Sequence, residues 1–306
     1  MPHDVTRLPW TDEQWAMVQR TVQENARKAR VASSFLPLFG PLPDGQASVP
    51  ALAMRYPELE PYRGEAPKRL EVDDGQTLRL TTIACNVYLK TQQVEDPDLA
   101  SAKQMLSRAA DVIGRLEDAI VFNGQPGEDT PPADTGGIPE VYTVRGGQQQ
   151  AGLLSDNGLE CAVTVSLPRA SEDLVRAVID GIQCLERRGH YGPFACVLGR
   201  TLYEAASTPS PNSLVLPSDR ITPFLDGGPL RRSSVVPDEQ GVVVALAGSP
   251  IDLVVACDVH VSFVQLTLEP RYVLRVSERF VLRMKQADAR CRLTAVQPDQ
   301  KSKAAT

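Results

Sequence analysis

The 306-residue sequence has no long apolar run and no excess of basic residues. No segment approaches the roughly 20 apolar residues that a membrane-spanning helix requires, so we expect no transmembrane span. Lys and Arg number 32 against 38 Asp and Glu, which gives a formal net charge of −6. Phosphate recognition needs clustered basic side chains, and this balance argues against nucleic acid as the main partner. The first ten residues lack the apolar core of a secretory signal, and we therefore expect a cytoplasmic protein.

The sequence also lacks the motifs of common catalytic centres. GxSxG, HExxH, the phosphate-binding loop and the dinucleotide-binding glycine pattern are all missing. The three histidines are His3, His190 and His260, and the last of them lies within an apolar strand pattern. The neighbours Glu117 and Asp118 do not share a helical face and make a poor carboxylate pair. We therefore expect no enzyme activity, no cofactor and no metal site.

The six cysteines are far apart and include no Cys-x-x-Cys pair. They are Cys85, Cys161, Cys184, Cys196, Cys257 and Cys291. Several of them lie inside apolar runs, as Cys196 and Cys257 do. We expect free, buried thiols with no histidine beside them, as in proteins of a reducing compartment.

Helical periodicity is strong in three segments. Residues from Thr11 to about Ser33 are predicted to form an amphipathic helix, because Thr11 and Gln14 have the spacing of a capping box. A second helix is predicted from Leu99 to Phe122, with a stop signal at Asn123-Gly124. A third is predicted to begin at Ser171-Glu172-Asp173 and to bury one apolar face.

Prolines interrupt the segment from Phe35 to Pro67, yet large apolar residues are interleaved with them. So long an irregular stretch is unusual in a lone compact domain. An arm that lies on neighbouring subunits would cover these apolar side chains. We therefore predict that the chain hides this surface against copies of itself.

The remaining pattern is typical of β-sheet. Alternation begins near Leu70 and continues to Gln93, and the second half of the chain is rich in β-branched residues. The further predicted strands are Phe194–Leu198, Val242–Ala247, Ile251–Ala256, Val259–Leu268 and Tyr272–Met284. The tail after Leu293 is expected to fray.

The order of four segments resembles the encapsulin family. The long helix ends in Leu116–Gly124, similar to that family's E-D-x-A-I-F-x-G pattern, and Leu8–Trp15 is similar to its opening. Gly192–Leu198 is similar to its G-P-Y-A-L-V-L strand, and Leu274–Arg283 resembles its E-S-F-T-F-R-V strand. The matched segments extend from residue 8 to about 284.

This resemblance implies an α+β fold of the tailed-phage major capsid type, with a peripheral domain that contains a long spine helix, an axial domain and an extended loop. Applied to this chain, it implies an N-terminal helix or arm at 1–34, the extended loop and connecting strands at 35–95, and the peripheral domain at 96–150. The axial domain would occupy about 151–260, the chain would return to the peripheral sheet at 261–294, and 295–306 would be a tail.

The resemblance further implies a shell subunit that assembles with copies of itself into an icosahedral compartment. The shell would enclose a cargo enzyme, such as a peroxidase or a ferritin-like protein, by binding its terminal peptide. The implied cargo groove consists of Trp15, Val18, Val22, Phe280 and Leu282. The implied pore loop consists of Arg187, Arg188, Gly189, His190 and Tyr191.

Two alternatives stay open on the sequence. The first is a major capsid protein of a phage or prophage, which has the same fold. The early helix favours a compartment shell, because phage capsid proteins often carry a removable scaffold segment there. The second alternative is a hydrolase that uses Cys196 or His190, and it needs a nucleophile beside a base that the sequence does not supply.

Overall fold

The structure is a computed structural model that describes residues 8–43, 45–55, 71–166, 170–209 and 214–296. The sequence predictions for His3, for residues 56–70 of the arm and for the tail beyond Val296 lie outside these residues. No helix of the described part is long and apolar enough to cross a lipid bilayer.

The helices of the described part occur mainly in the first two thirds of the chain. They are α1 (Asp12–Ala29), α2 (Thr91–Val94), α3 (Ala100–Asn123), α4 (Ala170–Arg187), α5 (Arg200–Ser207) and α6 (Pro217–Ile221). The three predicted long helices are confirmed as α1, α3 and α4.

The strands form two large sheets and two short ladders. They are β1 (Leu38–Phe39), β2 (Ser48–Pro50), β3 (Ala53–Arg55), β4 (Glu71–Asp73), β5 (Thr77–Arg79), β6 (Thr81–Lys90), β7 (Tyr142–Gly146), β8 (Cys161–Ser166), β9 (Phe194–Leu198), β10 (Leu230–Arg232), β11 (Gln240–Ala245), β12 (Ile251–Leu266), β13 (Arg271–Met284) and β14 (Arg290–Val296).

The first sheet has the order β1-β12-β13-β6-β7 and carries α3 on one face. Helix α3 begins after Asp96, whose carboxylate accepts a hydrogen bond from Ala100 N at 3.0 Å. It ends at Gly124, which adopts φ +83°. A Cβ at Gly124 would lie 2.5 Å from the carbonyl oxygen of Gln150, so glycine is required at this stop by both φ and space. Helix α1 packs against α3 and β12.

The second sheet has the order β10-β9-β11-β14-β8 and is covered by α4. Strand β9 is buried at every position from Phe194 to Leu198 because it lies inside the sheet with α-helices nearby. Helix α4 packs mainly on β8 and β14 and leads directly into residues 188–191.

The arm is a pair of antiparallel ladders. Strand β2 pairs with β5, and β3 pairs with β4. The described part of the predicted arm is therefore extended, as expected. Its apolar side chains include Met54 and Val72, which are 41% and 51% exposed.

Several details differ from the sequence predictions. The predicted strands Ile251–Ala256 and Val259–Leu268 are one strand, β12, because irregularities in its pairing near Cys257 let it continue. Strands β7 and β8 were not predicted. Residues 290–296 form β14 between β11 and β8 in the second sheet. Pairing on both sides also keeps residues 294–296 from fraying.

The prediction of six free thiols is wrong for two of them. Cys161 and Cys184 form a disulfide, since β8 and α4 bring residues 23 positions apart to a Cα–Cα distance of 6.1 Å. Cys257 was expected to be buried, yet it is exposed, and its Sγ lies 3.3 Å from His260 Nδ1. The irregular register between these two residues explains why a strand pattern did not predict the contact.

Candidate functional site at the N-terminal helix

Helix α1 is fixed along its whole length to the rest of the protein. Thr11 caps it, and the reciprocal Thr11–Gln14 bonds complete the predicted capping box. Val18, Val22 and Ala26 are completely or almost completely buried beneath the helix. Burying a valine side chain stabilises a fold by roughly 1.5–3 kcal/mol, so this face alone holds α1 firmly.

Polar contacts add orientation to this apolar face. Gln19 reaches β12, where its Nε2 donates to Val259 O at 3.0 Å and its Oε1 accepts from Val261 N at 2.9 Å. Asn25 Nδ2 donates to Ser107 Oγ of α3 at 3.1 Å. These bonds fix the rotation and the axial position of α1, because hydrogen bonds are directional and apolar packing alone is not.

A cluster of charged side chains lies where α1 ends, and we call it the carboxylate anchor. It consists of Arg30, Glu117, Asp118, Asp258 and Glu278. The Arg30 guanidinium contacts Glu117 at 2.6 Å, Glu278 at 2.6 Å and Asp258 at 3.0 Å. One arginine thereby joins the end of α1 to α3, β12 and β13, a role that suits its planar, multiple donors.

Asp118 completes the anchor from α3. Its two carboxylate oxygens accept hydrogen bonds from Val31 N at 2.8 and 3.1 Å and from Ala32 N at 2.8 Å. The adjacent acidic residues Glu117 and Asp118 thus do different work: one binds the arginine side chain, and the other binds the backbone that follows it. The sequence predicted no role for this pair, because adjacent residues do not share a helical face.

Burial controls the protonation of the anchor. Burial raises the pKa of Glu117, and it raises the pKa of Glu278 more strongly, where repulsion from Glu117 adds to it. Burial and the nearby Glu117 also raise the pKa of Asp118. Burial alone would lower the pKa of Arg30, but the three carboxylates outweigh it and keep the guanidinium charged.

Two carboxylates beside one arginine would leave a net buried negative charge. Burial and the neighbouring charge of Glu117 raise the pKa of Glu278 well above its ordinary value, so the protonated form of Glu278 is favoured in this pair. With Glu278 protonated, the Arg30–Glu117–Glu278 group is electrically neutral, and this lowers the desolvation cost of burying it.

The residues predicted for the cargo groove lie around this helix, but most are interior. Val18, Val22 and Phe280 are 0% exposed, and Leu282 is 1% exposed. Trp15 is partly buried and packs edge-on against Trp10, with ring centroids 5.1 Å apart. The first four side chains therefore cannot touch a peptide in this conformation, whereas Trp15 reaches the surface.

The structure adds one exposed apolar residue that the sequence prediction omitted. Met17 of α1 is 39% exposed, and its sulfur lies 3.7 Å from Lys103 Nζ of α3. Methionine adapts its shape to an apolar partner, so this edge of α1 can receive one. No periodicity marks Met17 for this role, because it lies outside the buried stripe.

The predicted pore loop follows α4. Arg187, Arg188 and Gly189 are exposed, Tyr191 is 63% exposed, and Gly189 turns the chain at φ +86°. His190 instead points inward: it is 7% exposed, and its Nε2 lies 3.2 Å from Asp288 Oδ2. The loop therefore presents arginines and a tyrosine, while its histidine contacts the body of the protein.

The two residues of the hydrolase alternative are poorly placed for nucleophilic attack. Cys196 is completely buried, and burial raises the pKa of its thiol to about 12. A thiol in that state is not the thiolate that catalysis needs. His190 is buried, with only 7% of its surface exposed. Within the described ranges, His, Cys, Asp and Glu side chains form no group of three that could hold a metal ion.

Comparison with protein families and curated proteins gives consistent matches. The family model described as an encapsulating protein for peroxidase matches residues 144–281. The type 1 encapsulin shell protein EncA of Myxococcus xanthus is 26% identical over 301 residues, which cover 93% of both chains. A diheme-cytochrome-encapsulin shell fusion protein of Kuenenia stuttgartiensis is 27% identical and covers 92% of this chain and 72% of that protein.

Comparison with solved structures supports the fold. A virus-like particle from Pyrococcus furiosus gives a TM-score of 0.64 at 15% identity, covering 92% of this chain and 99% of that chain. The capsid of Myoviridae phage XM1 gives a TM-score of 0.57 at 13% identity, covering 85% and 90%. The predicted α+β fold of the phage major capsid type is thereby confirmed.

Proposed function

Because the chain belongs to the encapsulin family and is a capsid-like shell subunit, we propose that its copies assemble into a closed icosahedral compartment in the cytoplasm that encloses a cargo protein. The two curated relatives match across nearly the whole chain and carry shell names. These relatives favour a compartment shell over a phage capsid protein, because the phage capsids resemble this chain in fold alone. The chain would act as a container, and the chemistry would belong to the cargo.

The observation that carries the assembly proposal is the exposed apolar surface of the arm and the sheet edge. Leu38 and Phe39 on edge strand β1 are 60% and 50% exposed, and Met54 and Val72 on the arm are 41% and 51% exposed. An extended two-stranded arm with apolar side chains has too little of its own chain to bury them. Contact with neighbouring copies would bury them.

Size-exclusion chromatography with light scattering tests the assembly. The wild-type chain should elute as a particle of megadalton mass, and Val72→Asp should shift most of it to small species. Val72→Thr is the matched control, because it keeps the β-branched shape without a charge. A wild-type chain that stays monomeric and folded at micromolar concentration would overturn the proposal.

For cargo, we propose that the terminal peptide binds along the exposed edge of α1 that carries Trp15 and Met17. The helix is held by its buried face and by the carboxylate anchor, so little ordering is required when a peptide binds. The predicted groove residues Val18, Val22, Phe280 and Leu282 would then support this surface from beneath.

Particles purified from the native host test the cargo proposal. They should contain a second protein that external protease does not digest. Met17→Asp particles of unchanged size should contain at least about tenfold less of it, and Met17→Leu particles should retain it. Full loading of Met17→Asp particles would refute this location for the peptide.

A further inference from the structure

A covalent tie joins α4 to the second sheet near the predicted pore loop. The Cys161–Cys184 disulfide connects the first residue of β8 to the last turn of α4, three residues before Arg187. Cys161 is 1% exposed, whereas Cys184 is partly exposed. A reagent from solution therefore reaches this disulfide from the Cys184 side.

Two further contacts lie beside the disulfide and hold the same loop. Arg188 forms an ion pair with Glu160, the residue immediately before Cys161. His190 contacts Asp288, which lies just before β14, at 3.2 Å. The exposed Arg188–Glu160 pair is worth at most about 1 kcal/mol, so the disulfide is the strongest of these ties.

Cys161 belongs to a row of paired residues across the second sheet, and three of the four residues in that row are cysteines. Cys161 is paired with Cys291, Cys291 with Val243, and Val243 with Cys196. Residues in register point to the same face of a sheet, and here α4 covers that face. A Cβ at Gly181 of α4 would lie 3.0 Å from the Cys291 sulfur, which confirms that this thiol faces the helix.

We propose that the Cys161–Cys184 disulfide is a redox site that accepts a small thiol at Cys184, and that its reduction releases the loop 187–191. The consequence for passage through a shell rests on the proposed function. In the first step, the thiolate of the small thiol attacks Cys184 Sγ, the Cys161–Cys184 bond breaks, and Cys161 leaves as a thiolate that takes up a proton. A second small thiol then displaces Cys184 as a thiol, and the two small thiols leave as their disulfide.

The buried neighbours make reduction a simple two-state change. Cys291 is paired with Cys161 across the two strands. Burial raises the pKa of Cys291 to about 12, so Cys291 remains a thiol and does not attack the mixed disulfide at Cys184. The reduced state therefore keeps four cysteines of this row and helix unbonded. The last turn of α4 then depends on packing and on the two non-covalent contacts.

A count of reactive thiols tests the site itself. Protein alkylated in denaturant immediately after purification without reductant should carry four labels, because the Cys161–Cys184 disulfide leaves four of the six cysteines outside it. After treatment with a millimolar small dithiol it should carry all six. Six labels without reductant would overturn the proposal.

Hydrogen exchange of the full chain tests the consequence. Reduction should speed exchange of amides 187–191 by about tenfold or more, which corresponds to about 1.4 kcal/mol of local opening free energy. Cys161→Ser/Cys184→Ser should exchange fast with or without the dithiol, and Cys257→Ser should respond as the wild type does. Equal exchange of the wild-type loop in both redox states would refute the coupling.

The same samples separate this inference from the proposed function. Particle mass, measured beside the exchange rates, reports assembly, and the thiol count and loop exchange are measurable on particles and on single subunits alike. Loop release by a chain that does not assemble would support the redox site and contradict the assembly proposal. Assembled particles whose loop exchange does not change on reduction would support the assembly proposal and contradict the redox site.

Discussion

Removing Arg30 gives the sharpest test of the carboxylate anchor. The side chain contacts three carboxylates, and Glu117 and Glu278 are completely buried. Arg30→Ala leaves the buried Glu117 carboxylate without its counter-charge, and breaking a buried ion pair from one side costs about 3–5 kcal/mol. We expect that cost in the local stability of the end of α1, where Arg30 is the connection to β12 and β13.

Hydrogen exchange of the α1 amides measures this loss directly. A decrease of 3–5 kcal/mol corresponds to exchange that is roughly a hundredfold to a few thousandfold faster. Arg30→Lys should fall between Ala and wild type, because a lysine keeps the charge but lacks the planar fork. Amides of α4 serve as the internal reference, since that helix packs on the other sheet.

Two carboxamide variants refine the test. A protonated Glu278 is a neutral group, so Glu278→Gln replaces one neutral group by another and should cost less than about 1.5 kcal/mol. Glu117→Gln removes the negative partner of Arg30 and should cost more. Wild-type exchange rates in Arg30→Ala, or equal losses in the two carboxamide variants, would refute this reasoning.

Three further predictions follow from single contacts. The pKa of Glu278 is raised, so its proton stabilises the fold fully below the ordinary value of 4.5, and this contribution is lost as the pH rises through the raised pKa. The melting temperature of Glu278→Gln should therefore increase relative to that of the wild type as the pH rises. A difference in melting temperature that does not change with pH would contradict this. Trp10→Phe removes the bond from Nε1 to Val94 O at 3.0 Å and should cost about 1 kcal/mol in denaturant unfolding. Gly124→Ala forces a Cβ to within 2.5 Å of Gln150 O and should cost at least about 1–3 kcal/mol in the same assay, with Gly137→Ala as a control for positive φ without a close neighbour.

The elements predicted from sequence were those with local signals. The capping box at Thr11, the stop at Gly124 and the apolar stripe of α3 each depend on residues within a few positions of one another. The short strands β7 and β8 have no such signal: β7 follows a Gly- and Pro-rich segment, and β8 is fixed by parallel pairing with β14 far along the chain.

The site was predicted less well because its contacts connect distant segments. Arg30, Glu117 and Glu278 stand in three separate parts of the sequence, and no local spacing rule connects them. Cys161 and Cys184 lie 23 residues apart, and their pairing depends on how α4 packs over β8. Helical spacing correctly marked Val18 and Val22 as one face, yet that face is the buried one, and periodicity cannot distinguish core from groove.

Electron cryomicroscopy of the purified full-length chain tests the central claim most directly. We predict closed particles of icosahedral symmetry in which Met54 and Val72 of each arm are covered by a neighbouring subunit. A preparation that contains only separate, folded chains with these side chains in solvent would contradict the account.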